Sequence, residues 1–449
     1  MATAVSEDSG LPAGWRWKSL GDALPLEYGK ALPAKARTGE GGTTVYGSSG
    51  PVGEHSASFL KGPAVIVGRK GSAGAVHYCA GPCWPIDTAY FVRHGEDVDP
   101  RFAYFLLTSL RLDKLDQSTA IPSLSRDTYG CLVAPFPEID VQRRIVDRID
   151  ELFSEIDDGE EELRRARAEL ETYRQSLLKA AVTGELTADW RAANPSKESG
   201  ADLLQRILAD RRSRWEAEPR NRGKAYKEPV AAETDGLPEL PPGWAWATAD
   251  MLSEAGKGHI VIGPFGSDLK VSDYRPEGVP LIFVRNIRAG IYDNLKPKFI
   301  PLEKAIQLKA HVVTTGDILV TKMGEPPGDA DVYPSDQPDA VITADCIRWR
   351  PSAQINRGFC RHWINSLPGS LWIQRVTKGV AQQKISLGTF KRMPVPVPPA
   401  DEAERLLALV GLSLSASEDL SNINTCMTNR SAILRQSILA AAFRGELVQ

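Results

Sequence analysis

Apolar positions set the first divisions of this chain. From Ile145 they recur at alternating steps of four and three: Ile145, Ile149, Leu152, Ile156, Gly159, Leu163, Ala166, Leu170, Tyr173, Leu177 and Ala180. A seam of about five heptads is the signature of a coiled-coil helix, and only Gly159 interrupts it. The residues around it, DDGEEELRRARAELE from Asp157, are charged and suit a solvated outer face. At 1.5 Å per residue this predicts a rod roughly 55 Å long. Leu406, Leu409, Val410, Leu420, Ile423, Met427, Leu434 and Ile438 form a second stripe, with Ser and Asn intruding. Such a stripe usually reflects core packing, and the obvious partner for one long seam is the other. Elsewhere the period is two. Trp15 and Trp17, and Trp244 and Trp246, each project to one side of a strand entered through a Pro-Gly turn, LPAGW at Leu11 and LPPGW at Leu240.

Those two entries belong to a larger duplication. VIVGRKGSAG at Val65 resembles ILVTKMGEPPG at Ile318: a β-rich apolar run, a basic residue, then a glycine loop. PSLSRDTYGCLVAPFP at Pro122 resembles ISLGTFKRMPVPVPP at Ile385, each with a Ser-Leu pair before a Pro-punctuated exit. EIDVQRRIV at Glu138 and ADEAERLLALV at Ala400 open the long helical stretches. RQSLLKAAVTGEL, Arg174 to Leu186, and RQSILAAAFRGEL, Arg435 to Leu447, close them. Gly184 and Gly445 sit where helices commonly end in a left-handed residue. Because helix C-termini repel phosphate, this repeated phrase reads as structural rather than DNA-binding.

The predicted fold class is α+β. Two globular α/β domains, 1–137 and 240–399, are separated by long helices at 138–186 and 400–449, with a connector at 187–239 holding a short helix. Antiparallel pairing of the helices would place the globular domains at opposite ends of a pseudo-two-fold rod.

Composition narrows the function classes. The chain has 449 residues, 42% hydrophobic and 25% charged, ordinary for a soluble globular protein of several domains. No apolar run is long enough to span a bilayer, and the polar start MATAVSEDSG lacks the features of a signal peptide, so a cytoplasmic location is expected. The formal net charge of −3 hides a division. Gly236 to Pro399 carries 19 Lys and Arg against 15 Asp and Glu, whereas Glu138 to Ala180 carries 8 against 13. An acidic rod beside a basic globular part is compatible with local DNA contact, and equally with a solvated helix. His77, Cys79 and Cys83 cluster but match no common metal-ligand spacing, so packing is the reading adopted.

Chemistry is hard to find. No Asn/Asp-Pro-Pro-aromatic methyltransferase motif occurs; Asn194-Pro195-Ser196 fails at its third position. GRKGSAG lacks the closing Lys-Ser/Thr of a phosphate loop. His55, His77, His94, His259, His311 and His362 are isolated along the chain.

Two related but different heads at fixed separation suit two different half-sites on linear DNA. Here the chain resembles the specificity subunits of type I restriction-modification systems. LPAGW, LPPGW, GPFGSDLK from Gly263, GVPLIFVRNI from Gly278, GDILVTKMGEPPG from Gly316, PVPVPP from Pro394, QRRIV from Gln142 and the paired GEL phrases carry the resemblance, in order and across nearly the whole chain. It implies two target-recognition domains without a catalytic site. It further implies double-stranded DNA as ligand, and helices that set the spacer and dock two modification subunits. Those subunits use S-adenosylmethionine to methylate adenine N6 and carry motor-nuclease restriction subunits; no cofactor is expected on this chain.

Sequence readers need Arg, Lys, Asn and Gln on exposed loops, with cations for phosphates. The candidates in the first head are Lys30, Tyr46, Ser48, Arg69, Lys70, Ser125 and Arg126; in the second, Lys270, Arg285, Asn286, Arg288, Lys322, Gln382, Gln383 and Lys384. Ordinary polar surface loops would look similar. In GPFGSDLK the glycines and proline make a turn in any protein, and Phe265 would pack beneath it. The competing functions are a coiled-coil scaffold with two non-DNA heads, a nuclease-methyltransferase with its own chemistry, and a specificity subunit of a related phage-defence methylation system.

Overall fold

The computed structural model describes residues 11–37, 42–115, 122–254, 258–377 and 383–448. It divides into two compact units, residues 1–166 with 422–449, and residues 167–421. Two uninterrupted helices, Ile139–Val182 and Ala400–Phe443, each contribute one part to each unit.

In the first unit the entry strand Arg16–Ser19 pairs antiparallel with Val133–Phe136, the strand that leads into the first long helix. A four-stranded antiparallel sheet follows, ordered Leu26–Tyr28, Ala89–Val92, Ala64–Gly68, Val76–Cys79. Ala64–Gly68 is wholly buried, which accounts for its unbroken apolar run. A three-stranded sheet is built on the parallel pair Thr43–Gly47 and Cys83–Pro85. Helix Pro100–Ser109, started by Asp99 accepting from the Arg101 and Phe102 amides, covers the core with Phe102, Phe105 and Leu106.

The second unit repeats this plan. Ala245–Thr248 pairs with Pro394–Val397 in the register Ala245 to Val397, as Arg16 pairs with Phe136. The four-stranded sheet runs Ile260–Ile262, Cys346–Trp349, Ile318–Thr321, Ala330–Val332, the same order. Val279–Ile282 and Ala340–Ile342 form the equivalent parallel pair. Connector helix Gly200–Ala217 is set by a Ser199–Asp202 capping box and buries Leu203, Leu204 and Ile207 in this unit's core.

Within each unit the long helices run antiparallel. In the first, Arg435 reaches Asp157 and Glu160, and the buried Asn424 donates to the Leu163 carbonyl (2.7 Å). In the second, Arg174 donates to Ser417 Oγ (2.8 Å) and the buried Glu402 faces Thr187 and Arg191. Arg174 and Arg435 are the same position of the repeated phrase. Gly184 and Gly445 take φ of +74° and +76°, as a helix-ending glycine does. A Cβ on Gly184 would lie 2.5 Å from Pro241, and one on Gly445 would lie 2.2 Å from Pro12. Each GEL phrase therefore closes on the LPxGW turn of its own unit: the first long helix ends on the start of the second head, and the second helix on the start of the first.

The predicted seam is covered only at its ends. Ile145, Ile149, Ile156 and Leu177 are buried, but Ala166 and Tyr173 are exposed. In the first unit, Ile156, Gly159, Leu163, Met427, Ile433 and Leu434 line an open apolar groove of about 860 Å³. Glycine and alanine on one helix, and serine among the apolar residues of the other, leave too little side chain to fill it.

Candidate nucleic-acid interface

The duplication extends to individual hydrogen bonds at one loop cluster in each head. In the first head Arg69 follows the buried strand. Its amide donates to the Thr88 carbonyl (3.0 Å), and its carbonyl accepts from the Leu124 amide (3.0 Å). In the second head the Lys322 amide donates to the Asp345 carbonyl (2.8 Å), and the Lys322 carbonyl accepts from the Ile385 amide (3.0 Å). The side chains agree too: Arg69 Nη1 donates to the Asp87 carbonyl (2.7 Å), Lys322 Nζ to the Ala344 carbonyl (2.9 Å). Gly29 and Gly263 hold this crossing, because a Cβ on either would lie 2.2 Å from backbone carbonyl atoms, those of Ile86 and Thr343 respectively. The frame aligns Leu124-Ser125 with Ile385-Ser386. The predicted Ser-Leu match, Ser123-Leu124 with Ser386-Leu387, is thus displaced. Ser125 and Ser386 instead each cap a short helix, accepting from the amides of Asp127 and Thr389.

Around this frame several predicted residues come together. Arg69 lies 5.0 Å and Arg126 5.5 Å from the centre of the Tyr28 ring, which rests against Tyr90. Tyr28, Tyr90, Ser125 and Arg126 line an open cleft of about 740 Å³. Lys70 is exposed and bridges to Ser123; Ser48 is half-buried beside Gly71. In the second head Lys322 lies 4.9 Å from the centre of the Phe265 ring, and Lys384 is exposed, bridging to Met323. The Gln383 carbonyl accepts from the Gly324 amide (3.4 Å), and its side chain lines a cleft with Glu325, Gln374 and Thr377. Gln382 lies outside the described residues.

Other candidates lie elsewhere in their heads. Lys30 sits over the Trp84 ring. Lys270 begins a turn closed by Asp273. Arg285 stacks 4.0 Å from the Phe283 ring centre and donates to the Lys296 carbonyl. Arg288 is exposed.

Two candidates need correction. Asn286 is 1% exposed and fully engaged: its Oδ1 accepts from the Phe283 amide, and its Nδ2 donates to the Asp293 and Leu295 carbonyls. It holds a turn and presents nothing outward. Tyr46 is buried, its pKa pushed up to about 12 by burial and by the neighbouring Cys79 and Cys83. It is a packing residue among those thiols. His77 faces the Ser48 carbonyl instead (3.2 Å). Sequence reasoning passed over Tyr28 and took Phe265 for a packing residue, yet they are 52% and 54% exposed.

Residues 12–165 match the family model for the type I restriction modification DNA specificity domain. The specificity subunit of the EcoBI type I restriction enzyme from Escherichia coli is 26% identical over 85% of this chain and 73% of its own length. That of EcoDI, from the same species, is 22% identical over 97% of this chain and 89% of its own length. The chain thus carries a match to the type I specificity domain and resembles type I specificity subunits along most of its length. Its fold agrees: a solved structure concerned with complex assembly of the type I R-M system superposes with a TM-score of 0.60, 18% identity and coverage of 97% and 99%. A scaffold present twice in the chain accounts for the duplicated Arg69 and Lys322 frame. Among the described residues, no helix is long and apolar enough to cross a membrane, and no group of three or more His, Cys, Asp or Glu is placed to hold a metal.

Proposed function

We propose that this chain is a type I specificity subunit, each of whose units reads one half of an asymmetric, bipartite double-stranded DNA target. The recognition heads would span 1–137 and 240–399, and the chain itself would perform no catalysis. The observation that carries this is the shared frame at Arg69 and Lys322: one scaffold, presenting a cation in both heads, with different loop residues around it. Cations at a common position suit phosphates, which every DNA offers; the differing neighbours suit different bases. In this reading Lys30, Ser48, Arg69, Lys70, Ser125, Arg126, Lys270, Arg285, Arg288, Lys322, Gln382, Gln383 and Lys384 provide the DNA-facing set.

The long helices set the spacer and dock two modification subunits, whose S-adenosylmethionine supplies the methyl group for adenine N6. Restriction subunits join through them. Support comes from the apolar groove and from Ile423, Met427, Ile433 and Leu434, all about half exposed or more. Apolar surface of this extent marks an interaction site. The complex would act in the cytoplasm.

Methylated-adenine mapping of the host genome, with and without this gene, tests the proposal. Loss of one split adenine motif is expected; an unchanged methylation map would overturn it.

A further inference from the structure

We propose that Tyr28 and Phe265 contact DNA directly, each as the aromatic half of a cation-aromatic pair in its own head. The inference rests on the DNA-reading function proposed above and adds residues to it.

Both rings are about half exposed, unlike the buried aromatic cores of Phe102, Phe136, Trp349 and Trp363. Burial is therefore not their main service. Each lies under a cation that the backbone frame has already fixed: Arg69, held by the Asp87 carbonyl, and Lys322, held by the Ala344 carbonyl. Arg126 adds a second cation over Tyr28.

The rings reach this position by different routes. Tyr28 ends a strand immediately before Gly29, whereas Phe265 lies two residues beyond Gly263, the glycine in the equivalent place. Simple inheritance of a packing residue would place the ring at one aligned position. Arrival from two positions at the same partner points to a demand of the surface itself.

The chemistry that fits is double-stranded DNA. A phosphate would take the fixed cation, while the ring edge, next to that cation, meets sugar or base. Tyr28 also carries a hydroxyl able to bond a base edge; Phe265 offers only apolar contact, as a thymine methyl accepts. The two rings would thus contribute to reading different bases from equivalent places.

The test uses the full chain assembled with its modification subunits and the split target found by adenine mapping. Affinity is measured for the intact target and for targets altered in one half. Tyr28→Leu and Phe265→Leu keep apolar bulk and remove the ring. We expect each to weaken binding about five- to tenfold, with Tyr28→Leu acting only where the first half-site is intact and Phe265→Leu only where the second is. The dependence on salt should stay unchanged, because no phosphate contact is lost. Tyr28→Phe should retain part of the affinity, which separates ring loss from misfolding. Binding within twofold of wild type in both leucine variants, or equal weakening on both half-sites, would overturn the inference. A wild-type complex indifferent to either half-site would instead overturn the DNA-reading function.

Discussion

Replacing Glu402 tests how the second unit is tied together. Its side chain is 0% exposed and accepts from Arg191 Nη1 (2.5 Å), Thr187 Oγ1 (2.6 Å) and Trp244 Nε1 (2.9 Å). One carboxylate thus joins the second long helix, the connector and the LPPGW turn. Glu402→Ala strands three donors. A buried donor left unpaired costs about 1–3 kcal/mol, and removing one partner of a buried ion pair costs about 3–5 kcal/mol. Arg191 keeps the Gly184 carbonyl (3.1 Å) and about a fifth of its surface in water, so the lower part of that range applies, about 3 kcal/mol. Glu402→Gln preserves shape but turns an amide toward donors, and should fall between wild type and alanine. The assay is hydrogen exchange with peptide resolution across 183–193 and 240–250 through a urea series. Adding Arg191→Met to Glu402→Ala should cost less than the sum of the two single changes, with a coupling of about 0.5–3 kcal/mol. A loss below about 1 kcal/mol for Glu402→Ala, or strict additivity in the double variant, would refute this reasoning.

Two further outcomes follow from single residues. Burial, aided by the Arg361 guanidinium, pushes the His362 imidazole down to about 3. The unfolded chain binds a proton below about pH 6.5 while the folded form does not. Stability from this residue is therefore complete above that pH and falls toward pH 3, by about 1.4 kcal/mol per unit. Urea midpoints should drop between pH 7 and 5 more steeply in wild type than in His362→Gln; parallel slopes would contradict this. Gly445→Ala should destabilise the first unit by more than the roughly 1–2 kcal/mol of a left-handed alanine, because its methyl would also meet Pro12. Gly411→Ala, mid-helix with nothing within 4 Å of a Cβ, should stabilise by about 0.5–1 kcal/mol; thermal melts that failed to separate the two variants would contradict the packing described.

The repeat was legible because it is written in residues with narrow uses. Paired tryptophans, Pro-Gly turns and GEL phrases can do little else, and their structural partners, Pro12 with Gly445 and Pro241 with Gly184, are the motifs themselves. Burial of polar residues was not legible. Asn286 looks like a base reader beside Arg285 and Arg288, and only the folded turn shows its amide spent on three backbone groups. Glu402 stands in a helix's first turn, where acids are usual; its partner Arg191 lies 211 positions away. Tyr28 ends a short strand on the same face as the buried Leu26, and Phe265 sits in a glycine turn, contexts in which aromatics normally pack inward. The one sign available was that each stands within two residues of the crossing glycine. The Ser-Leu echo misled because Ser-Leu recurs by chance, while the true correspondence, Leu124 with Ile385, pairs different apolar residues.

The central claim is that each unit reads its own half of the target. Binding of Arg69→Ala and Lys322→Ala, assembled with modification subunits, to DNA altered in one half or the other tests it most directly. The account predicts reciprocal behaviour, because a head whose half-site is altered no longer seats its cation on phosphate: Lys322→Ala loses affinity only where the second half-site is intact, Arg69→Ala only where the first is, each lowering the salt dependence by about one phosphate contact. Equal losses for both variants on every DNA would contradict it.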